Sequence, residues 1–197
     1  MKNIRLAVMA GALGWATLVV VPAPSFAQAS GSAVASAEAW PEADPEDVAS
    51  IDAIIAALYD VISGPAGEKR DWDRFRSLMN PQARLIPTGS GPNGQVGHVF
   101  LGVDDYVARA GASLEANGFF EVEAARTTEQ WGQIAHAFST YESRNNADDA
   151  EPFDRGINSI QLLDDGERWW IMNVFWAAES SGLTLPERYL KSRRPKR

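Results

Sequence analysis

The 197-residue chain contains no cysteine. That removes disulfides, thiolate nucleophiles, cysteine zinc sites and cysteine-held iron–sulfur clusters. Histidine is scarce: His98 and His136 are the only two, too few for a His-rich metal site. Basic residues are outnumbered, 18 Lys and Arg against 26 Asp and Glu, for a formal charge of −8. A nucleic-acid binder needs a basic face, which this balance argues against. The glycine-rich stretch from Gly89 to Gly94 lacks the Lys-Ser/Thr ending of a P-loop and reads as a hairpin loop. There is no nucleophile elbow and no metal-ligand spacing, so no metal and no cofactor is expected. What is present suffices for a core: 45% of residues are hydrophobic and 10% aromatic.

Residues 1–27 read as a secretory signal peptide. Lys2 and Arg5 precede an uncharged run from Ala7 to Val21, Pro22-Ala23-Pro24 breaks any helix, and Ser25-Phe26-Ala27 places small residues for cleavage after Ala27. Fifteen residues at about 1.5 Å each reach about 22 Å, short of a bilayer core of about 30 Å, so no integral membrane segment is expected after cleavage. Residues 1–27 hold no twin arginine, and no cysteine follows the run. The expected location is a bacterial periplasm or the exterior. The peptide carries two of the 18 basic groups and none of the acidic ones, so the remaining 170 residues have a formal charge of −10. Five of the remaining basic groups lie in the last seven residues, which leaves −15 on residues 28–190. Residues 28–43, rich in Ala and Ser, read as a flexible linker, 44–180 as one domain, and 181–197 as a basic tail.

Within the domain, Asp44-Pro45-Glu46-Asp47 is a helix start, and Ile51, Ile54, Ile55, Leu58, Tyr59 and Ile62 form one buried stripe ended by Gly64-Pro65. A short helix follows over 71–79, stopped by Asn80-Pro81. A strand spans 83–87, and a return strand 96–101 follows the glycine loop. A third helix spans 104–117. Four strands are predicted over 119–131, 133–144, 155–163 and 168–178, joined by turns such as Asp164-Asp165-Gly166-Glu167. Helices first and an antiparallel meander after make the fold class α+β.

That order resembles the nuclear transport factor 2-like superfamily, and in particular its SnoaL-like bacterial branch. The segments that carry the resemblance are Leu58-Tyr59-Asp60, Asp71-Trp72-Asp73-Arg74-Phe75, Asn80-Pro81-Gln82-Ala83-Arg84-Leu85, Gly102-Val103-Asp104-Asp105-Tyr106, Ala135-His136-Ala137-Phe138-Ser139-Thr140-Tyr141 and Arg168-Trp169-Trp170-Ile171-Met172-Asn173-Val174-Phe175-Trp176. The resemblance implies a cystatin-like cone: three N-terminal helices wrapped by a strongly bent antiparallel sheet, with a pocket at the open end. It also implies a homodimer paired through the sheet face. It says little about chemistry. Ketosteroid isomerase, one member, uses a first-helix tyrosine, and Tyr59 falls near that place. The positions of its base and second acid fall here at Pro87 and Ser159, so that mechanism is not expected.

By the same resemblance, Trp170, Met172, Val174 and Trp176 on the last strand face the cone, as do Arg155, Ile157, Ser159 and Gln161 on the strand before. Tyr141 is a further polar lining residue. His136, mid-strand, is a base candidate paired with a carboxylate, or else a structural or interface histidine. The expected function is binding of a small apolar or amphipathic molecule. Two alternatives stay open. One is a lyase, hydratase or cyclase using His136 or Tyr59. The other is a noncatalytic dimeric scaffold.

Overall fold

The computed structural model describes residues 39–91, 93–180 and 183–191. The expected signal peptide lies outside those residues, as do most of the 28–43 linker and the end of the basic tail.

Asp44 starts a helix as predicted, its carboxylate accepting from the Glu46 N–H at 2.9 Å. This helix, α1 (Pro45–Val48), stops after one turn. Ser50 takes an extended backbone (φ −154°), and its hydroxyl accepts from the Ala53 N–H at 3.1 Å, so the chain restarts as α2 (Ile51–Ile62). The serine side chain competes for a local donor and divides the single helix that the sequence predicts. Helix α2 buries Ile54, Ile55, Leu58, Tyr59 and Ile62, the stripe visible in the sequence.

Asp71 caps α3 (Trp72–Leu78), accepting from the Arg74 N–H at 2.9 Å. The helix then passes directly into β1 (Met79–Ser90), which runs through the expected stop at Asn80-Pro81. Proline is tolerated there because the pairing of β1 with its neighbour shifts register between Met79 and Arg84. The return strand β2 (Val96–His98) is shorter than predicted, with Leu101 keeping an isolated bridge to Leu85. Helix α4 (Val103–Asn117) and strands β3 (Phe120–Trp131), β4 (Ile134–Arg144), β5 (Asp154–Asp164) and β6 (Trp169–Ala178) lie within about a residue of their predicted spans.

The strands form one sheet in the order β2-β1-β6-β5-β4-β3. Every pairing is antiparallel except β1 with β6, which is parallel because α4 and the meander intervene between the two strands. The helices cover one face, α2 reaching both β3 and β6 while α3 and α4 pack on β1. Bulges in β3, between Glu123 and Ala125, and in β6, at Met172, bend the sheet around them. The fold is α+β.

Alternation then sorts the side chains. On β4 the inner face carries Ala135, Ala137, Ser139, Tyr141 and Ser143; on β5 it carries Gly156, Asn158, Ile160 and Leu162, all buried. On β6 the bulge changes the outcome. Gln161 pairs with Asn173 and Leu162 with Ile171, which leaves Met172 as the extra residue. Parity flips across it, so the buried set is Trp169 and Ile171 before the bulge and Val174 after it.

Both ends of the expected domain extend further than predicted. The Trp40 indole, assigned to the linker, donates to the Arg76 and Met79 carbonyls at 2.9 and 3.0 Å and packs on the core. Residues 183–191, assigned to the tail, lie along the outer sheet face. There the Thr140 hydroxyl donates to the Tyr189 carbonyl at 2.5 Å, and the Phe138 and Tyr189 rings meet at 5.1 Å.

Candidate functional site

Between the helices and the inner sheet face lies a cavity of about 270 Å³. Its apolar wall comes from Leu58 and Ile62 of α2, Phe75 of α3, Leu85 of β1, Ala110 and Leu114 of α4, and Val174 of β6, with Phe119, Tyr106 and Trp176 supplying rings. The Phe75 and Tyr106 rings stack at 5.3 Å, and Tyr106 meets Trp176 edge-on at 6.4 Å. The rest of the lining is polar: Glu121 of β3, Tyr141 and Ser143 of β4, Asp154 and Asn158 of β5. Among the described residues, no Lys, Arg or His lines the cavity.

The polar part of the lining is built by strand alternation. Glu121 pairs across the sheet with Ser143, and both point inward. The Ser143 hydroxyl donates to Glu121 Oε2 at 2.8 Å, and Asn158 Nδ2 donates to Oε1 at 3.3 Å. Burial pushes the Glu121 carboxyl up to about 7. The two hydrogen bonds pull the other way, and the Asp154 charge adds to the rise. Asp154 is also raised, first by burial, with the Tyr141 hydroxyl and the Arg155 N–H opposing. Burial raises the Tyr106 and Tyr141 hydroxyls as well, so all three tyrosines near the site, including Tyr59, stay neutral phenols.

Behind these residues runs a hydrogen-bonded chain. Asn158 Nδ2 donates to the Tyr59 hydroxyl at 3.1 Å. Tyr59 and Ser139 share a 2.7 Å bond, and Ser139 donates to Glu123 Oε1 at 2.5 Å, which makes Tyr59 the donor to Ser139. Tyr59 is buried and does not line the cavity. It holds Asn158, which does. Tyr59→Phe removes both bonds at the phenol and is expected to cost about 1–2 kcal/mol in urea denaturation. A change below about 0.3 kcal/mol would show that the chain is not formed.

The residues expected at the site divide between the two faces. Tyr141 lines the inner cavity, and so does Trp176, whose parity the bulge preserves. Trp170 and Met172 lie on the far side of the bulge's parity change and do not line it. Trp170 is instead bound at the surface, its indole donating to Asp165 at 2.6 Å under the Arg168 guanidinium at 3.7 Å. Arg155, Ser159 and Gln161 alternate away from the buried Gly156, Asn158, Ile160 and Leu162 and so face outward. Arg155 is ion-paired with Glu179. The position compared with the isomerase's second acid is therefore filled inwardly by Asn158, one residue before Ser159.

His136 is also on the outer face, with Nε2 2.9 Å from the Ser159 hydroxyl and its ring 5.7 Å from Phe138. No carboxylate hydrogen-bonds it among the described residues. The nearby outer groove, about 350 Å³, is lined by Phe138, Ile157, Ser159 and Phe175 together with residues 183–186 and Tyr189. On β6, Trp169 and Ile171 are core, while Phe175 is exposed on the outer face.

Sequence reasoning missed Glu121, Asp154, Tyr106 and Asn158. The signal was inverted amphipathicity. In Glu121-Val122-Glu123 the apolar residue is the outward one, 49% exposed, while Glu121 turns in. The small Ala and Ser on the inward positions of β4 were the second sign, since they leave space that larger residues would fill.

No protein-family model and no curated protein matches the chain. Solved structures do resemble it. One is a protein of unknown function with a cystatin-like fold from Nostoc punctiforme PCC 73102, 13% identical, with a TM-score of 0.49 over 66% of this chain and 90% of that one. Another, with a cystatin-like fold, is from Caulobacter vibrioides: 14% identity, TM-score 0.49, 67% and 89% coverage. An NTF2-like protein of unknown function from Shewanella baltica OS155 shows 14% identity and TM-score 0.44 over 65% and 90%.

Proposed function

We propose that this chain is an exported small-molecule-binding member of the nuclear transport factor 2-like superfamily, in its SnoaL-like branch, and that its ligand occupies the inner cavity. The observation that carries the reading is the makeup of that cavity's lining: rings and aliphatic groups for most of it, with Glu121, Asp154, Asn158 and Tyr141 among them. Small-molecule sites have this makeup, a mostly apolar wall with a few placed polar groups. The order of helices and strands supports the superfamily, and Lys2, Arg5 and the run from Ala7 to Val21 support export. Pairing of two copies through the outer face belongs to the same proposal, supported by the exposed Ile134 and Phe175.

One observation favours a second reading, acid–base catalysis. His136 lies on the outer face and Tyr59 behind the cavity wall. Glu121 is the group inside it that exchanges a proton near neutral pH. A lyase or hydratase of this kind would use Glu121 where the sequence suggests His136.

Native mass spectrometry of the protein recovered from the periplasm of producing cells tests the reading. The expected result is a chain beginning at Gln28, a mass of two chains, and a small molecule released on activation. A 197-residue mass would overturn export, a single-chain mass the dimer, and a ligand-free spectrum the binding reading.

A further inference from the structure

We propose that the inner cavity takes an organic cation, a small amine with an apolar body, whose protonated nitrogen pairs with Glu121 and Asp154 and whose body lies among Phe75, Tyr106 and Trp176. This inference rests on the ligand-binding reading above and deepens it by naming the charge of the ligand.

The charge inventory of the wall is one-sided. Among the described residues, two carboxyls line the cavity and no basic side chain does. The nearest arginine along β5, Arg155, is engaged by Glu179 on the other face. A buried carboxyl without a counter-charge holds its proton more tightly, which is the state of Glu121. An ammonium group supplies the missing positive charge. An anionic headgroup would add a third negative charge to a site that has no cation to meet it.

Hydrogen bonding points the same way. Ser143 and Asn158 each give Glu121 one bond, and a carboxylate accepts about four, so lone pairs remain for a donor inside the cavity. The Tyr106 hydroxyl, also in the cavity, makes no hydrogen bond among the described residues and can accept another N–H. The rings add a second kind of attraction, because the face of an aromatic ring is negative and draws a cation. Tyr106 links Phe75, at 5.3 Å, to Trp176, at 6.4 Å, so the three rings form one aromatic run. The acidic body, −15 over residues 28–190, favours the approach of cations as well.

The test compares three probes of one shape and different charge by calorimetry: phenethylamine, phenethyl alcohol and phenylacetate. At about pH 8 the amine is expected to bind about tenfold or more tighter than the alcohol, with the acid weakest. The groups facing Glu121 are Asp154, Tyr141, Tyr106, Tyr59 and its own strand neighbour Glu123; the tyrosines stay protonated across this range. Amine preference is therefore expected to shrink as pH falls through about 7, where the Glu121 carboxyl gains its proton. Glu121→Gln is expected to weaken the amine about tenfold and leave the alcohol within about twofold; Asp154→Asn repeats the measurement should the first variant misfold. Equal or tighter binding of the alcohol or the acid overturns the cation inference and leaves the cavity reading standing. Failure of all three probes to bind at about 10 mM, with a ligand-free native spectrum, overturns both.

Discussion

Glu121→Gln is expected to stabilise the ligand-free protein by about 3 kcal/mol at pH 8 and to leave it almost unchanged at pH 4. The carboxyl rises from an ordinary 4.5 to about 7 on folding. Below about 4.5 both folded and unfolded chains hold the proton, and burial then imposes no charge penalty. Between 4.5 and about 7 the unfolded chain has released its proton while the folded chain still holds it. Stability therefore falls as pH rises through that window, and above it the loss is complete. Asp154, raised in the same direction, adds to the slope. Glutamine keeps the shape and the bonds to Ser143 and Asn158 without the charge. Urea denaturation at about pH 4 and about pH 8 for both proteins checks the expectation. Equal pH dependence of the two would mean that Glu121 is not buried as described. A group that costs stability in the empty protein is the kind of feature that function retains, and the cation inference gives it a use.

Arg70→Met is expected to cost about 3–5 kcal/mol at any pH near neutral. Arg70 is 7% exposed and, among the described residues, forms no salt bridge. Its guanidinium instead donates to backbone carbonyls: Ile62 at 3.1 Å and Gly64 at 2.5 Å just beyond α2, Glu68 at 2.6 Å, and Leu114 at 3.2 Å in the last turn of α4. Carbonyls at helix ends lack partners within the helix and sit at the negative end of its dipole. One cation thus terminates two helices that wall the cavity. Gly64, which the sequence suggests only as a helix stop, is required by this contact, since a Cβ there would lie 2.6 Å from Arg70 Nη1. Methionine fills the volume and leaves those carbonyls unsatisfied. Arg70→Lys should recover a minority of the loss, because an ammonium cannot reach carbonyls on both helices at once. Thermal denaturation followed by circular dichroism would show the order wild type, Lys, Met. A Met variant within about 0.5 kcal/mol of wild type would remove the clamp.

The elements were legible from the sequence because they rest on local physics. The stripe from Ile51 to Ile62, the Asp44 and Asp71 caps and the four alternating strands with their turns are decided within windows of about a dozen residues. Composition alone also excluded disulfides and thiol chemistry, for no residue able to perform them is present. Which face of a strand lies inside is not local. On β5 the whole predicted set, Arg155, Ile157, Ser159 and Gln161, gives way to its neighbours Gly156, Asn158, Ile160 and Leu162, because the sheet and not the strand decides which side the helices cover. On β6 a single extra residue, Met172, exchanges the two faces partway along. The same dependence hid the site. Glu121 and Asp154 are separated by most of β3 and all of β4, and each alone reads as a surface acid. Only the closing of β3, β4 and β5 around the helices draws both partly out of water, and that desolvation, absent from any local window, raises two ordinary carboxyls into the chemistry of the cavity.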